Sequence, residues 1–370
     1  MDFTPDETTA EVAGLAADIA AKLSAPDKVA ELEAAGARLD VDLWRELSQA
    51  GLLGLELPEK ATGGGLTVLD TIAVAEQLGR ALALVPYGQH SIAALPTLAA
   101  FGSKSLRGEW LERGAAGLGV LTVAIDEDLG YDPTAPATTL HRDGKLWKLN
   151  GTKVIVAFAT AADALLVTAA GPDGSVVVLV PADADGVRIA ATPSTGLIPT
   201  EQVDFDSVTI ADDAVLSGGS TAVSALLDRA ALAACAEQSG ILERALELTA
   251  AYAAEREQFG KPIGANQAVA QRLADGYIDV QGLKLTTTQA GWLLANGDLS
   301  SLAVSTAKYW AAQSGHRVSH TAVHVHGGVG LDTSHPVHRY FLRAKHNEFS
   351  LGSLPATLAS IGAALAAEPA

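Results

Sequence analysis

The sequence predicts an α+β protein built from three consecutive domains. The chain has 370 residues, which is enough for two or three domains with sizeable cores. Its hydrophobic pattern has a helical period at both ends and changes to short β-branched runs in the middle. We therefore predict an N-terminal helical domain, a small middle β-sandwich or barrel and a C-terminal four-helix bundle, with the boundaries 1–115, 116–220 and 221–370.

The N-terminal region places apolar residues at three- and four-residue spacing. The spacing is clearest in "TAEVAGLAADIAAKLSA" and "VDLWRELSQAGLLGLEL", and it predicts amphipathic helices. The stretch "LPEKATGGGLTVLDTIAVAEQLGRALALVP" predicts a glycine-rich loop followed by a long helix. This loop lacks the Lys-Ser/Thr signature of a phosphate-binding loop, so we interpret it as a plain connection.

The middle and C-terminal regions differ in their hydrophobic period. Runs such as "KLWKLNGTKVIVAF", "SVVVLVPA" and "EQVDFDSVTI" are β-branched and are punctuated by Gly, Asp, Asn and Pro, which predicts strands. The helical period returns further on, in four long segments: 223–255, 265–296, 300–327 and 336–366. Long helices joined by short loops predict a bundle.

The composition describes an acidic, well-folded chain. It is 48% hydrophobic and 18% charged, which disfavours general disorder. The formal net charge of −18 repels nucleic acid and anionic lipid, so we expect neither as a partner. An anionic ligand would need a local basic patch to bind such a protein.

Cysteine usage and the lack of targeting segments predict a cytoplasmic protein. Cys235 is the single cysteine, so the chain cannot form an internal disulfide, and its apolar surroundings "AALAACAEQSG" predict a core residue. The N-terminus has no basic region followed by an apolar one, so no signal peptide is expected. We find no run of eighteen uncharged apolar residues and expect no membrane span.

The stretch "AAEREQFGKPIGANQAVAQRLADGYIDV" is a first candidate binding segment. We predict that a helix ends near Arg256, that a turn follows, and that another helix begins at "NQAVAQRLAD". Arg256 then lies beside Phe259, with Gln258 and Gln267 close by. An Arg, an aromatic ring and amides at helix ends can hold a diphosphate and a flat ring. The alternative is an Arg that pairs with a neighbouring Glu.

The stretch "SGHRVSHTAVHVHGGVG" is the second candidate segment. His316, His320 and His324 recur at four-residue intervals, which permits a metal site, but their helical face carries no Asp or Glu. The Gly-Gly pair more often marks a helix C-terminus. We therefore predict no metal here and interpret the glycines as letting a backbone approach a ligand closely.

Taken together, these stretches resemble the acyl-CoA dehydrogenase family. "REQFGKPIGANQAVAQRLAD", "AVHVHGGVG" and "HPVHRYFLRAK" resemble its C-terminal bundle, and "LPEKATGGGLTVLDTIAVAEQLGRAL" resembles its N-terminal domain. The resemblance covers nearly the whole chain and keeps the domain order. It implies FAD as cofactor: the flavin takes a hydride from the β-carbon of an acyl-CoA thioester while a carboxylate takes the α-proton.

The resemblance also implies where the chain contacts FAD. In the family each FAD lies across a subunit interface, and the middle domain of one subunit cradles the isoalloxazine ring. The bundle of the neighbouring subunit contacts the diphosphate and the adenosine. The residues that match this bundle contribution are Arg256, Gln258, Phe259, Asn266, Gln267, His324, Val325, His326, Gly327 and Gly328. His324 stands where a Gln is usual.

The middle domain departs from the family where the flavin cradle is expected. Ile125, Asp126 and Glu127 replace a Thr-Glu-Pro strand that contacts the flavin. A Trp-Ile-Thr run that packs on the flavin ring is replaced by 155–157, which reads Ile-Val-Ala. The departures imply that this chain has lost its own flavin cradle.

The catalytic base is also missing from its usual position. Many members carry a Glu before a Gly after the last bundle segment, and here that place is Leu351 before Gly352. Glu348 is about one helical turn earlier and would point elsewhere. A minority of the family carries the base directly before an Arg on the first bundle helix, where this chain has the shorter Asp228. The alternative for Asp228 is a first-turn residue that stabilises the start of its helix.

The chain keeps the residues that would contact a neighbour's FAD but lacks the expected flavin cradle and base of its own, which suggests a heteromer. The chain resembles the shorter, non-catalytic subunit of α2β2 acyl-CoA dehydrogenases from actinobacterial steroid side-chain degradation, most closely the type acting on a cholestenoyl-CoA thioester. This implies a longer catalytic subunit, an acyl-CoA substrate and electron-transfer flavoprotein as partners, and a place in cholesterol catabolism. Two alternatives remain: a homomeric dehydrogenase with Asp228 as base, and a scaffold of the same fold without flavin.

Overall fold

The N-terminal part is helical, as predicted. A computed structural model describes residues 3–128, 132–298 and 301–367. Asp6 caps the first helix by accepting a hydrogen bond from the backbone N–H of Thr9 at 2.8 Å, and Thr67 and Asp70 form a capping box on the fourth. The α-helices of this part are α1 (Glu7–Leu23), α2 (Pro26–Ala34), α3 (Val41–Gln49), α4 (Val68–Arg80), α5 (Leu95–Phe101) and α6 (Lys104–Ala115). A π-helix, Gly88–Ala94, precedes α5.

The middle part is one branched β-sheet. Its strands are β1 (Leu121–Ala124), β2 (Thr139–Asp143), β3 (Leu146–Ala157), β4 (Ala164–Gly171), β5 (Gly174–Pro181), β6 (Val187–Ala191) and β7 (Thr200–Ile210). The sheet order is β1-β4-β2-β3-β7-β6, and β5 pairs along the whole of β4. Strands β1 and β2 therefore share the other edge of β4. Buried valines such as Val167, Val178 and Val203 fill the interior.

The C-terminal part is a helical bundle with one more helix than predicted. It contains α7 (Ser220–Glu255), the hairpin strands β8 (Glu257–Gln258) and β9 (Lys261–Pro262), α8 (Gln267–Ala295), α9 (Ser301–His326), α10 (Val337–Phe349) and α11 (Leu354–Ala367). The prediction of one helix over 336–366 is wrong. The chain breaks at Leu351 and Gly352, whose φ angles are 55° and 113°, and Pro355 follows in the first turn of α11.

Two glycines bring α4 against α7 and join the N-terminal helices to the bundle. A Cβ on Gly240 would lie 1.9 Å from the carbonyl oxygen of Glu76, and one on Gly79 would lie 2.3 Å from that of Glu237. The helix backbones therefore touch, and the N-terminal and bundle cores are continuous. Cys235 lies inside this core without solvent exposure, as predicted, and burial raises the pKa of its thiol to about 12.

One helical segment among the described residues, Val337–Ala367, is long and apolar enough by composition to cross a membrane. The break at Leu351 divides this segment into α10 with 13 residues and α11 with 14 residues. Each is shorter than the roughly 20-residue helix that spans a bilayer.

Candidate functional site

A narrow cleft lies where the three parts of the chain meet. Its walls come from α4, β1, β3, α7 and α10, and its free volume is about 90 Å³. Apolar side chains make most of the wall, among them Leu78, Val85, Ile125, Ile198 and Ala233. The cleft lies where the middle domain faces the bundle, and its middle-domain wall includes positions at which the resemblance expects contact with the isoalloxazine ring.

An ion pair crosses the polar side of the cleft. Arg343 on α10 donates from Nη1 to Glu237 Oε1 on α7 at 2.8 Å and from Nε to the carbonyl oxygen of Gly196 at 2.9 Å. His346, one turn along α10, is mostly buried, and burial lowers the pKa of its imidazole to about 4. This pair was not predicted from the sequence. Glu237 is a charge in an apolar helical run, which was an available signal, but Arg343 lies among other charged and polar residues of α10, and the two positions are 106 residues apart.

The positions of the expected flavin cradle carry a strained backbone without aromatic or hydroxyl side chains. Ile155 has a φ of 53°, which a β-branched residue rarely adopts, and it lies at a register shift between β3 and β7. Its side chain is 48% exposed and lines the cleft. The N–H of Val154 donates to the carbonyl oxygen of Asp126 at 2.8 Å, which joins β3 to the end of β1.

A buried ion pair holds the loop after β1 from behind. Lys153 donates to Glu127 Oε1 at 2.8 Å, and Glu127 also accepts the backbone N–H groups of Ala137 and Thr138. Burial alone would raise the pKa of Glu127, but the hydrogen bonds from Lys153, Thr138 and Ala137 outweigh it and lower that pKa. Glu127 is thus a structural anion that faces the interior of the sheet.

Neither candidate base position offers a carboxylate to the cleft. Leu351, which stands at the usual base position in the sequence, lines the cleft. Glu348 bonds Lys345 at 2.6 Å and is not among the cleft residues of the described chain, so the prediction that it points elsewhere is confirmed. The alternative for Asp228, a first-turn residue, is wrong, because α7 begins at Ser220 and Asp228 lies about two turns into it. Asp228 accepts a 2.6 Å hydrogen bond from the Ser301 hydroxyl at the start of α9 and also lies outside the cleft.

The hairpin after α7 presents Arg256 and Phe259 to the solvent. Arg256 is the C-cap of α7, as predicted, and is exposed; in the described part of the chain it makes no ion pair, so the alternative pairing with a Glu is not found. Phe259 and Gly260 form the turn between β8 and β9 with φ angles of 52° and 78°. The Phe259 side chain is 99% exposed.

The amides of this segment lie at the start of α8. Asn266 is the N-cap, and its Nδ2 donates to the carbonyl oxygen of Ile263 at 3.1 Å. Gln267 begins the helix and is exposed, and Gln258 is exposed on the hairpin. The first turn of α8 is the positive end of a helix dipole, and the preceding turn is tied to Arg256, whose carbonyl oxygen accepts the Ile263 N–H at 2.8 Å.

The remaining predicted residues lie at the end of α9, where some are exposed and others are buried. His324, Gly327 and Gly328 are exposed, whereas Val325 and His326 are 8% and 3% exposed. The last two could therefore reach a surface ligand only through their backbone. A Cβ on Gly327 or Gly328 would meet no atom within 4 Å, so packing inside the chain does not require either glycine.

A ring stack brings the two predicted groups together. His326 stacks on Tyr252 of α7 with ring centroids 4.4 Å apart, and the Tyr252 carbonyl oxygen accepts the N–H of Arg256 at 2.8 Å. His326 Nδ1 donates to the carbonyl oxygen of Ala322 at 2.8 Å, while its Nε2 is buried without a partner in the described chain. The stack fixes the ends of α7 and α9 side by side, so Arg256 and the Gly327–Gly328 backbone lie at one surface.

The histidines of α9 pack with each other and with the neighbouring helix. The rings of His316 and His320 are 4.4 Å apart, and His320 lies edge-on against Phe341 at 5.3 Å. Among the described residues, no three His, Cys, Asp or Glu side chains are arranged to hold a metal ion.

Comparison with known proteins matches all three parts of the chain. The N-terminal, middle and C-terminal domains of acyl-CoA dehydrogenases match residues 6–130, 123–208 and 217–366. Acyl-CoA dehydrogenase FadE27 of Mycobacterium tuberculosis is 44% identical over 379 residues and covers 100% of both chains. Acyl-CoA dehydrogenase FadE28 of the same organism is 33% identical over 86% of this chain and 91% of its own.

Solved structures give the same result for the fold. A chain in the crystal structure of the ChsE4-ChsE5 complex from Mycobacterium tuberculosis superposes with a TM-score of 0.95 at 43% identity, covering 100% of both chains. A chain of the Tcur3481-Tcur3483 steroid ACAD G363A variant gives 0.93 at 38% identity, covering 97% of this chain and 98% of its own. Over its whole length and in each of its three parts, the chain belongs to the acyl-CoA dehydrogenase family of FAD-dependent oxidoreductases.

Proposed function

We propose that this chain is the non-catalytic subunit of a heteromeric acyl-CoA dehydrogenase and that it completes the FAD site of a longer catalytic partner. The observation that carries the proposal is the size of its own cleft. Ligand pockets generally enclose roughly 300–1,000 Å³, and a cavity that admits benzene measures about 150 Å³. At about 90 Å³ the cleft is too small for a three-ring flavin together with an acyl chain.

The exposed half-site consists of Arg256, the hairpin turn at Phe259, the start of α8 and the Gly327–Gly328 backbone. It fits the diphosphate and adenosine part of FAD. Arg256 supplies a guanidinium suited to phosphate oxygens, and the start of α8 adds backbone donors. Phe259 combines a positive φ with a side chain that is 99% exposed, so it costs the isolated chain strain without contributing to its core. At Gly328 the backbone is accessible, because no atom of the described chain lies within 4 Å of where a Cβ would stand. All of these features are explained by contact with a second molecule.

The cleft does not fit the flavin ring. The Glu237–Arg343 pair and Leu351 occupy its bundle side, and Ile155 projects from the middle domain without an aromatic face or hydroxyl. No carboxylate stands at the usual base position, and Asp228 is engaged with Ser301 outside the cleft. We therefore assign hydride and proton removal to the partner subunit.

The substrate and the partners follow from the same proposal. Two of the most similar solved structures are, by their names, a ChsE4-ChsE5 complex and a Tcur3481-Tcur3483 steroid ACAD. Their names support a two-component enzyme that acts on a steroid. From the sequence resemblance we further propose that it desaturates a steroid side-chain CoA ester such as a cholestenoyl-CoA, with a role in cholesterol catabolism. We propose α2β2 assembly in the cytoplasm and electron-transfer flavoprotein as the electron acceptor.

The flavin content of the chain, alone and with its partner, tests the proposal. The chain should be expressed alone and together with a longer homologue encoded beside it, and each product analysed for FAD absorbance and subunit ratio. We expect a colourless lone chain and a yellow complex with fewer FAD molecules than subunits. One tightly bound FAD in each lone chain, with turnover, would instead establish a homomeric dehydrogenase. A colourless assembly would favour a scaffold without flavin.

A further inference from the structure

A second cavity, which we name the arginine pocket, lies between the N-terminal helices and the bundle. It is formed by α1, the start of α2, the end of α4, the middle of α7 and the start of α10, and its volume is about 300 Å³. That volume is within the range of small-molecule sites. It shares no wall residue with the cleft and none with the half-site residues.

Three arginines converge on this pocket from three helices. Arg80, Arg244 and Arg339 line it, and no Asp or Glu is among the described residues of its wall. The carboxylates of Glu33, Glu243 and Glu247 balance these three cations, but the guanidinium side chains line the cavity and the carboxylates do not. The cleft differs, because its wall includes Asp126 and Glu237 beside its single arginine.

Carboxylates behind the wall hold the guanidinium groups in place. Arg80 donates from Nη1 to Glu243 at 2.5 Å and from Nη2 to Glu247 at 2.9 Å. Arg244 bonds the Glu247 carboxylate at 3.0 Å, and Arg339 donates from Nε to a carboxylate of α2 at 2.7 Å. A guanidinium has five N–H donors. In the described chain Arg339 uses only Nε in hydrogen bonds, so its Nη groups remain available to a ligand.

The remainder of the pocket is apolar and open to an aliphatic group. Small residues of α1, including Ala17 and Ala21, leave the space, and Val29 and Leu248 line other sides. Tyr340 closes one end with its hydroxyl, which donates to the Arg80 carbonyl oxygen at 2.7 Å. An apolar body with converging cationic groups selects a ligand with an aliphatic part and an anionic head.

We propose that the arginine pocket binds a small amphipathic anion, a carboxylate or a phosphate monoester on a short aliphatic chain. The head bonds the guanidinium groups of Arg339 and Arg244, and the chain lies along the alanines of α1. Binding requires neither FAD nor a partner subunit, so this site is independent of the proposed function.

Direct titration of the purified chain with octanoate, octyl phosphate, octylamine and octanol tests the pocket. By calorimetry we expect saturable one-to-one binding of at least one of the anions, no binding of octylamine, and at least tenfold weaker binding of octanol. The ratio of the affinities for octanoate and octyl phosphate then decides between a carboxylate and a phosphate head. Absence of saturable binding by both anions, or equal binding of octylamine, overturns the proposal.

Two variants locate the binding in the pocket. Arg339→Gln should weaken binding of the anion roughly tenfold. Because that change also breaks an ion pair with α2, Ala21→Phe serves as a second variant that fills the pocket from the exposed side of α1. Ala10→Phe on the same helix, outside the pocket, is its control. We expect Ala21→Phe to abolish binding and Ala10→Phe to preserve it; native affinity in Ala21→Phe overturns the proposal.

Discussion

Replacing Arg256 by Ala separates the contact with FAD from the stability of the chain itself. Arg256 is exposed at the end of α7 and makes no ion pair within the described chain, so its side chain contributes little to folding. In the complex it would bond a phosphate oxygen, a charge-assisted contact that contributes about 1.5–3 kcal/mol. Its loss should lower the affinity of the complex for FAD roughly tenfold to a hundredfold.

The assay is an FAD titration of the purified complex, followed by flavin absorbance and fluorescence. Arg256→Ala should weaken FAD binding by the complex and leave the melting temperature of the lone chain unchanged. The FAD affinity of Arg256→Lys should lie between those of Arg256→Ala and the native protein, because lysine keeps the charge but lacks the planar guanidinium. Arg188→Ala, an exposed arginine on β6 in the middle domain, removes the same charge away from the half-site and serves as the matched control.

Size-exclusion chromatography of each complex shows whether assembly is preserved. Native FAD affinity in an assembled Arg256→Ala complex would refute the half-site, because the exposed guanidinium at the end of α7 would then have no ligand. If Arg256→Ala and Arg188→Ala lowered the affinity for FAD equally, the loss would come from the change in net charge and not from a contact between Arg256 and FAD.

Two further predictions concern carboxylates. Asp228→Asn in the complex should leave kcat within a few-fold of native, because Asp228 bonds Ser301 outside the cleft and the function we propose assigns the base to the partner. A fall of about 10²-fold in a yellow, assembled complex would show that this subunit supplies the base. Burial, together with nearby Glu243, raises the pKa of Glu76 from 4.5 to about 7 against the opposing effect of Lys284. The Glu76 carboxyl then holds its proton more tightly in the folded chain than in the unfolded chain, so its contribution to stability should fall as pH rises from 4.5 to about 7, by an amount on the order of 3 kcal/mol. His346 and His90, whose pKa values burial lowers to about 4, contribute in the opposite direction, so the measured quantity is the difference in unfolding free energy between the native chain and Glu76→Gln in urea denaturation across that pH range. This difference should change with pH by that amount, and a pH-independent difference would contradict the assignment.

The sequence by itself determined the fold class and singled out the residues of the proposed half-site. Helical and strand periods are local properties, so the helical ends and the strands between them follow from residue spacing. The half-site is also local: Arg256 ends one helix, Phe259 forms the next turn, and the glycines end another helix. The helix break at Leu351 escaped prediction because the apolar period continues through it, although Gly352 and Pro355 mark the position.

Only the tertiary structure decided which of these residues face outward and what fills the cleft. Val325 and His326 belong to the half-site motif, yet α9 turns their side chains into the bundle. The pairing of Glu237 with Arg343 spans 106 residues, and neither residue signals the other in sequence. Likewise, the arginine pocket takes its cations from three different helices. Long-range packing sets the volume of a cavity and the charge of its walls, because both depend on side chains that meet only after the helices are in contact.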